Sequence, residues 1–529
     1  MTHPARSRPA MLQPYSPLVR YVPILLITAS PFAAAESNLD RARNSIASSR
    51  LQTHVEVLAD DTFEGREAGT RGGHAAAGYL VQCLQQAGLR PAGEDGSYYQ
   101  HFGNGFRNVL ATIRGCDPPE DSSVILVCGH FDHVGFGSRQ NSYGPLGRIH
   151  NGADDNASGV AALLEIARTL ASQQAGLTRS LLFVFWDGEE QGLLGSKHWL
   201  EHPTLPVSQI GLVVNVDMIG RMRDRHIEVL GTRTGFRLRQ LISRQNVGVD
   251  LQIDFDWELK ANSDHYPFAE RGTPALMFHT GLHDDYHRPS DDTHLLNIAG
   301  LEQITRLLVN VLWETCRPSP AIRFRANWQD ESDSQRNQLE AEASRQPPRL
   351  GIQWDPADIS AGLRVSSVTR DSPAAKAGLQ PNDLVVALDG RKITDSQGFQ
   401  RSILSHSSPV VLSVRSPSGS DVFPLTVALR GTPRRFGISW RNDEAEPGVA
   451  ILTRVDVGSA AAAAGLRVAD RLYEVSGNQW SSGEQLAQWL NRLSAPLPLL
   501  VERDGRLKIV VLEERITSTD SLSPKHNPR

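Results

Sequence analysis

Five short segments carry residues able to hold metal ions. GHFDHVG contains His130 and Asp132, NGADDNASG contains Asp154 and Asp155, and DGEEQGLLGS contains Glu189 and Glu190. NVDMIGR adds Asp217 and YHRPSDDT adds His287. Imidazole nitrogen and carboxylate oxygen together suit zinc. Two metal ions about 3.5–4 Å apart need a carboxylate that touches both. The charge count also favours cations: three ionised carboxylate ligands with a further glutamate beside them repel one another strongly in a partly buried site. Taken singly the signals are weak. An acidic pair usually faces solvent, Asp155 ahead of a helix would serve as a cap, and a lone histidine is often structural. Their conjunction points to a metal site that does chemistry.

Each segment follows an element that can aim it. Residues 124–127, 181–186, 212–216 and 275–278 read as short buried strands, with a helix over 157–171 between the first two. Residues 38–89 read as helical with a break at 60–73, because Leu51, Val55, Val57 and Leu58 recur at helical spacing. Alternating strands and helices predict an α/β fold, a mixed, mostly parallel sheet sandwiched by helices. In open sheets of this kind ligands bind beyond the carboxyl ends of the strands, where the histidines and acids of the five segments fall.

In this order and spacing H-x-D, GADDNASG, EEQGLLGS, N-x-DMIG and YH-x-P-x-D-x-T resemble the co-catalytic dizinc aminopeptidases, relatives of bacterial leucyl aminopeptidase, glutamate carboxypeptidase and glutaminyl cyclase. The resemblance covers residues 51–313. It implies a zinc exopeptidase fold and two Zn2+ ions per chain. His130 and Asp217 would bind one zinc, Glu190 and His287 the other, and Asp155 would bridge them. Glu189 would be the general base and acid, and Asp132 would orient the His130 imidazole. The expected substrates are peptides or proteins with a free N-terminus. Glutaminyl cyclase and carboxypeptidase chemistry on the same fold are alternatives, as is a non-catalytic binding scaffold, although every expected ligand and the base are present. His133 reads as a loop residue. His265, His279, His283 and His294 read as pocket walls or structure, and Asp264 is given no role.

The 529 residues suggest about three domains at about 150 residues each. Past Cys316 the composition turns polar, and residues 317–348 read as a linker with a short helix around Leu339. The chain then repeats itself. Leu350-Gly351-Ile352, an AGL turn and an apolar run ending at Gly390 recur as Phe436-Gly437-Ile438, a second AGL turn and a run ending at Gly477. These units, 349–431 and 434–515, resemble PDZ domains. The resemblance implies two small β-rich modules whose loops receive a peptide's C-terminal carboxylate while the peptide adds a strand. They are expected to be separable, so that deleting 350–529 leaves the peptidase domain, 36–316, working. Residues 516–529 read as a tail.

At the N-terminus Arg6, Arg8 and Arg20 precede an apolar run and Ala33-Ala34-Ala35. That pattern predicts a signal peptide over 1–35 and a periplasmic or secreted protein, the alternative being an uncleaved membrane anchor. The net charge of −5 argues against a nucleic-acid surface. Cys83, Cys116, Cys128 and Cys316 show no CxxC spacing and select no disulfide pair. HExxH, GxSxG and phosphate-cradling glycine patterns are absent, which sets aside zincins, serine hydrolases and nucleotide binding.

Overall fold

A computed structural model describes residues 37–116, 123–318, 321–344, 347–355, 359 and 361–513. The expected signal segment and tail lie outside them. Nine strands form one mixed sheet: β1 (Arg90–Pro91), β2 (Tyr99–Phe102), β3 (Phe106–Ile113), β4 (Val124–His130), β5 (Leu181–Trp186), β6 (Ile210–Val216), β7 (His226–Leu230), β8 (Gln252–Phe255) and β9 (Ala275–His279). Their order is β1-β3-β5-β4-β6-β9-β7-β8, with β2 beside β3. The four strands legible in the sequence, β5, β4, β6 and β9, are the parallel centre. On one side β3 runs antiparallel to β5. On the other β7 runs antiparallel to β9 and carries β8 parallel to itself.

The central strands are apolar throughout because both faces are covered. Alternate residues of β5 point to opposite sides. Leu181, Phe183 and Phe185 join the core made with the helices Ser48–Leu58, Arg71–Gln86, Gly159–Ser172 and Ile298–Thr315. Leu182, Val184 and Trp186 pack with Trp199, Phe268 and Trp328 on the other face. None of the four cysteines is paired, and no helix among the described residues is long and apolar enough to cross a membrane.

The two C-terminal units are small antiparallel sheets with matching element orders. Their repeated motif has a steric cause. Ser372 caps the helix Pro373–Ala377 by accepting from the Ala375 N–H, and Ser459 does the same for Ala462 ahead of Ala460–Ala463. Gly351 and Gly437 pass these serines at φ +87° and +75°, where an added Cβ would lie 2.2 Å from the serine Cβ.

The segment expected as a linker is instead a docked strap. Trp328 is buried in the sheet core, and Glu331 lies 2.8 Å from Arg233 and 2.5 Å from Arg325. The helix Asp333–Glu340 bonds to both flanking domains, Arg336 to Asp254 at 3.3 Å and Glu340 to Arg471 at 2.7 Å. Arg336 and Glu340 dock the helix, while its remaining polar side chains face solvent.

The second C-terminal unit also grips the large domain. Arg233 meets Asp443 at 2.7 and 3.0 Å and lies over the Trp257 ring, while Arg239 meets Glu502 at 3.1 Å. The hairpin turn at Asp504-Gly505 sits on the edge of the large sheet, where the Ile253 N–H of β8 donates to the Asp504 carbonyl at 2.9 Å. An added Cβ on Gly505 would lie 2.6 Å from that of Ile253, so glycine permits the approach. An open strand edge is a template for aggregation, and this turn covers it.

These contacts argue that the second unit is not separable. Deletion from residue 432 onward takes Asp443 from Arg233 and Glu502 from Arg239 and uncovers the edge of β8. The truncated chain is expected to aggregate or to unfold at a clearly lower temperature in a thermal scan. Unfolding of the large domain at the full-length temperature would contradict the interface.

Candidate metal centre

The ends of the parallel strands converge on one edge of the sheet. His130 ends β4, Asp217 follows β6, and Glu189 and Glu190 lie in the turn after β5. Asp155 lies in a wide turn, Ala153–Ser158, ahead of the helix Gly159–Ser172. His287 comes from the loop after β9.

Two donor groups result. His130 Nε2 lies 3.3 Å from Asp155 Oδ1 and 3.3 Å from Asp217 Oδ1. His287 Nε2 lies 3.1 Å from Asp155 Oδ2 and 3.0 Å from Glu190 Oε2, aligned for a hydrogen bond with neither. Tetrahedral zinc with bonds of about 2.0–2.1 Å sets its donors about 3.3–3.4 Å apart. The first group has that spacing, the second stands closer at 3.0–3.1 Å, and Asp155 gives one oxygen to each. The five residues expected as ligands are thus brought together, and Glu189 belongs to neither group.

His133 was expected to be a loop residue, yet its fully buried ring joins the second group, with Nδ1 2.8 Å from Glu190 Oε1. Nothing in its local sequence separates it from an ordinary loop histidine; the fold of the β4 loop places it. The other nearby histidines stay outside both groups. His279 Nδ1 donates to the Asp217 carbonyl at 2.9 Å, His283 Nε2 lies 3.2 Å from Asp154 Oδ2, and His294 is exposed. His265 is buried with both ring nitrogens unpartnered, and burial lowers its pKa to about 4. Asp264 accepts from Ser196 Oγ at 2.5 Å, and burial, with Asp217 adding to it, raises its pKa to about 7.

Asp132 differs from its expected role. The His130 Nδ1–H is taken by the Asp132 main-chain carbonyl at 3.2 Å, with the carboxylate 3.8 Å away. That carboxylate instead accepts the N–H groups of Glu189 and Glu190, at 3.1 and 3.4 Å. It anchors the acidic turn as well as the loop that carries His130. Asp155 is not a helix cap either. Its own N–H and that of Asp154 donate to Asp291 Oδ2 at 3.1 and 2.9 Å, leaving the Asp155 carboxylate free to face the imidazoles.

Arg66, in a turn that the sequence shows only as a helix break, ties these loops together. It is 1% exposed and donates to the carbonyls of Phe131, Leu58, Asn151 and Gly152 at 2.6–2.9 Å. Burial lowers its pKa to about 10 against the pull of Asp155, Asp291, Asp132 and Glu190, so it stays charged at neutral pH.

Cations fit this field. Burial lowers the His287 pKa, but the adjoining Asp155 and Glu190 outweigh it and bring the imidazole up to about 10. His130 is raised well above its usual range, where Glu189 and Asp217 overcome burial. Glu189 is also raised, by burial and by Asp264, Glu190 and Asp217. Carboxylates that force protons onto buried imidazoles are a setting in which divalent ions bind strongly.

Parts of the chain are similar to known proteins. Residues 108–312 match the family described as Peptidase family M28, and residues 348–415 match the PDZ domain. Leupeptin-inactivating enzyme 1 of Streptomyces exfoliatus is 30% identical over 259 residues, 48% of this chain and 52% of that enzyme. Aminopeptidase YwaD of Bacillus subtilis is 26% identical over 206 residues, 37% of this chain and 41% of that protein. The chain thus spans about half the length of the curated relatives it matches. Among solved structures, the LapA aminopeptidase of Legionella pneumophila aligns with 54% of this chain and 75% of its own, at 20% identity and a TM-score of 0.43.

The dependence of the site on Arg66 is measurable. Each buried hydrogen bond to a charged donor contributes about 1.5–3 kcal/mol, and Arg66→Met strands four carbonyls at once. Denaturant unfolding is expected to show a loss of roughly 4 kcal/mol or more, in the range that marks a broken buried network. A loss of less than about 1 kcal/mol would show that the loops stand without it.

Proposed function

We infer that this chain, which carries a Peptidase family M28 domain followed by a PDZ domain, is a zinc-dependent exopeptidase acting as an aminopeptidase on peptides with a free N-terminus. One observation carries the reading: Asp155 directs its two oxygens to two separate donor groups, while Glu189, which feels His130, Asp217 and Glu190 electrostatically, belongs to neither. His130, Asp155 and Asp217 would hold one ion, and Asp155, Glu190 and His287 the other. Two zinc ions, when bound, polarise a carbonyl and lower the pKa of a water.

The remaining work falls to the chain. Glu189 takes the proton of the attacking water and passes it to the leaving amine. Its partly buried position, with other acids near it, suits a carboxylate that must hold a proton in mid-reaction. Asp132 fixes the turn from which Glu189 reaches the substrate. The Tyr286 ring stacks on His287 at 3.9 Å between centroids, and burial together with the surrounding carboxylates keeps its phenol protonated. It is a neutral donor at the rim. The apolar groove between the edge strand Ile352–Trp354 and the helix Ser396–Ser405, floored by Leu350, Phe399 and Ile403, supports a peptide-recruiting role for the first PDZ-type unit. The basic, apolar and small-residue pattern of the leader supports export to the periplasm or beyond.

Glu189→Gln is expected to keep wild-type metal content by elemental analysis and to lose about 10²–10⁴-fold in turnover of aminoacyl amides. N-acetylated amides are expected to resist the wild type. Loss of metal in the variant would mean that base and ligand are exchanged. Cleavage of blocked substrates would remove the aminopeptidase assignment, and cyclisation of N-terminal glutamine would replace it with a cyclase.

A further inference from the structure

The His133 residue is held from two sides. Its ring is wedged against Gly152, where an added Cβ would lie 2.5 Å from it, and its backbone N–H donates to the Arg66 carbonyl at 3.2 Å. Its orientation is therefore fixed by packing. Nδ1 lies 2.8 Å from Glu190 Oε1 and 3.7 Å from Asp155 Oδ2. The donor pairs of the two groups stand at 3.0–3.3 Å, and 2.8 Å is shorter than any of them. It is the length of a charge-assisted N–H···O⁻ bond. The partner atom decides the matter further. Glu190 turns Oε2 towards His287 and Oε1 towards His133. An ionised carboxylate only accepts, so Nδ1 carries the hydrogen.

We propose that His133 is a positioning residue that holds Glu190 through Oε1, leaving Oε2 set for metal, and so makes the Glu190–His287 position the tighter of the two. Among the described residues no hydrogen bond from a group other than His130 reaches the Asp217 carboxylate, so at the other position the brace falls on the imidazole, through the Asp132 carbonyl, and the carboxylate has none. A buried ring that fixes one ligand removes the entropy that ligand would lose on binding, and partners of this kind are worth about 10–100-fold in metal affinity. The proposal rests on the dizinc reading.

The test is titration of the metal-free full-length protein with Zn2+ against a chelator, with Co2+ absorption as a second readout. The wild type is expected to bind two ions in two affinity classes. His133→Leu, which keeps the volume, is expected to weaken the tighter class about 10–100-fold and spare the weaker. His133→Asn, whose amide nitrogen can stand where Nδ1 stands, is expected to restore it, and His133→Gln is not. If the leucine variant fails to fold, the asparagine–glutamine contrast alone decides. Equal affinities in all variants would make His133 mere packing. Complete loss of one ion in both the leucine and asparagine variants would make it a ligand. Either outcome overturns the proposal while leaving two ions in the wild type. A wild type that binds no zinc would overturn the dizinc reading itself.

Discussion

Five carboxylates, those of Asp132, Asp155, Glu189, Glu190 and Asp217, sit at or close to the ends of buried strands, and Arg66 is the permanent cation that runs between their loops. Charge this dense in low dielectric is tolerable only if it is hydrogen-bonded and neutralised. Much of the surrounding structure answers that demand. Asp132 and Asp291 spend their oxygens on main-chain N–H groups of the neighbouring acidic turns. Asn156 fastens the same wide turn from within, donating to the Val216 carbonyl at 2.9 Å and accepting from the N–H groups of Met218 and Gly159. The acids and imidazoles of the two donor groups are left facing one another, and divalent ions of zinc's preferences suit them.

A second set of buried charges holds the domains together. Arg233, Arg239 and Arg471 lie between the large domain, the strap and the last unit, each opposite one or two carboxylates. Such pairs add little net stability, but they make the separated surfaces costly. The last unit thereby becomes part of the framework of the large domain. Its turn closes the β8 edge, and each unit keeps a groove between its first strand and its longer helix, that of the first unit bordered by Arg454–Val457 of the second.

The sequence made the centre of the fold and the donor residues legible for one reason. A parallel sheet buried on both faces demands continuous apolar runs, and 181–186 is such a run. The acids and histidines directly after the runs then fall where ligands bind. The glycines of the repeat were legible because capping serines force them. Other features depended on distant segments. His133 acquires its function from Glu190, 57 residues away, and Arg66 from carbonyls up to 86 residues on. The outer strands β1, β7 and β8 are short and only partly buried, so their pattern is faint. The polar strap looked like a tether because charge complementarity with Arg233 and Arg471 cannot be seen one segment at a time.

Anomalous diffraction from crystals of the full-length protein at the zinc absorption edge tests the central claim most directly. The account requires two peaks about 3.5–4 Å apart, one against His130, Asp155 and Asp217, the other against Asp155, Glu190 and His287, with His133 hydrogen-bonded to Glu190 and not to metal. A single peak, or an Asp155 that touches only one ion, would contradict it.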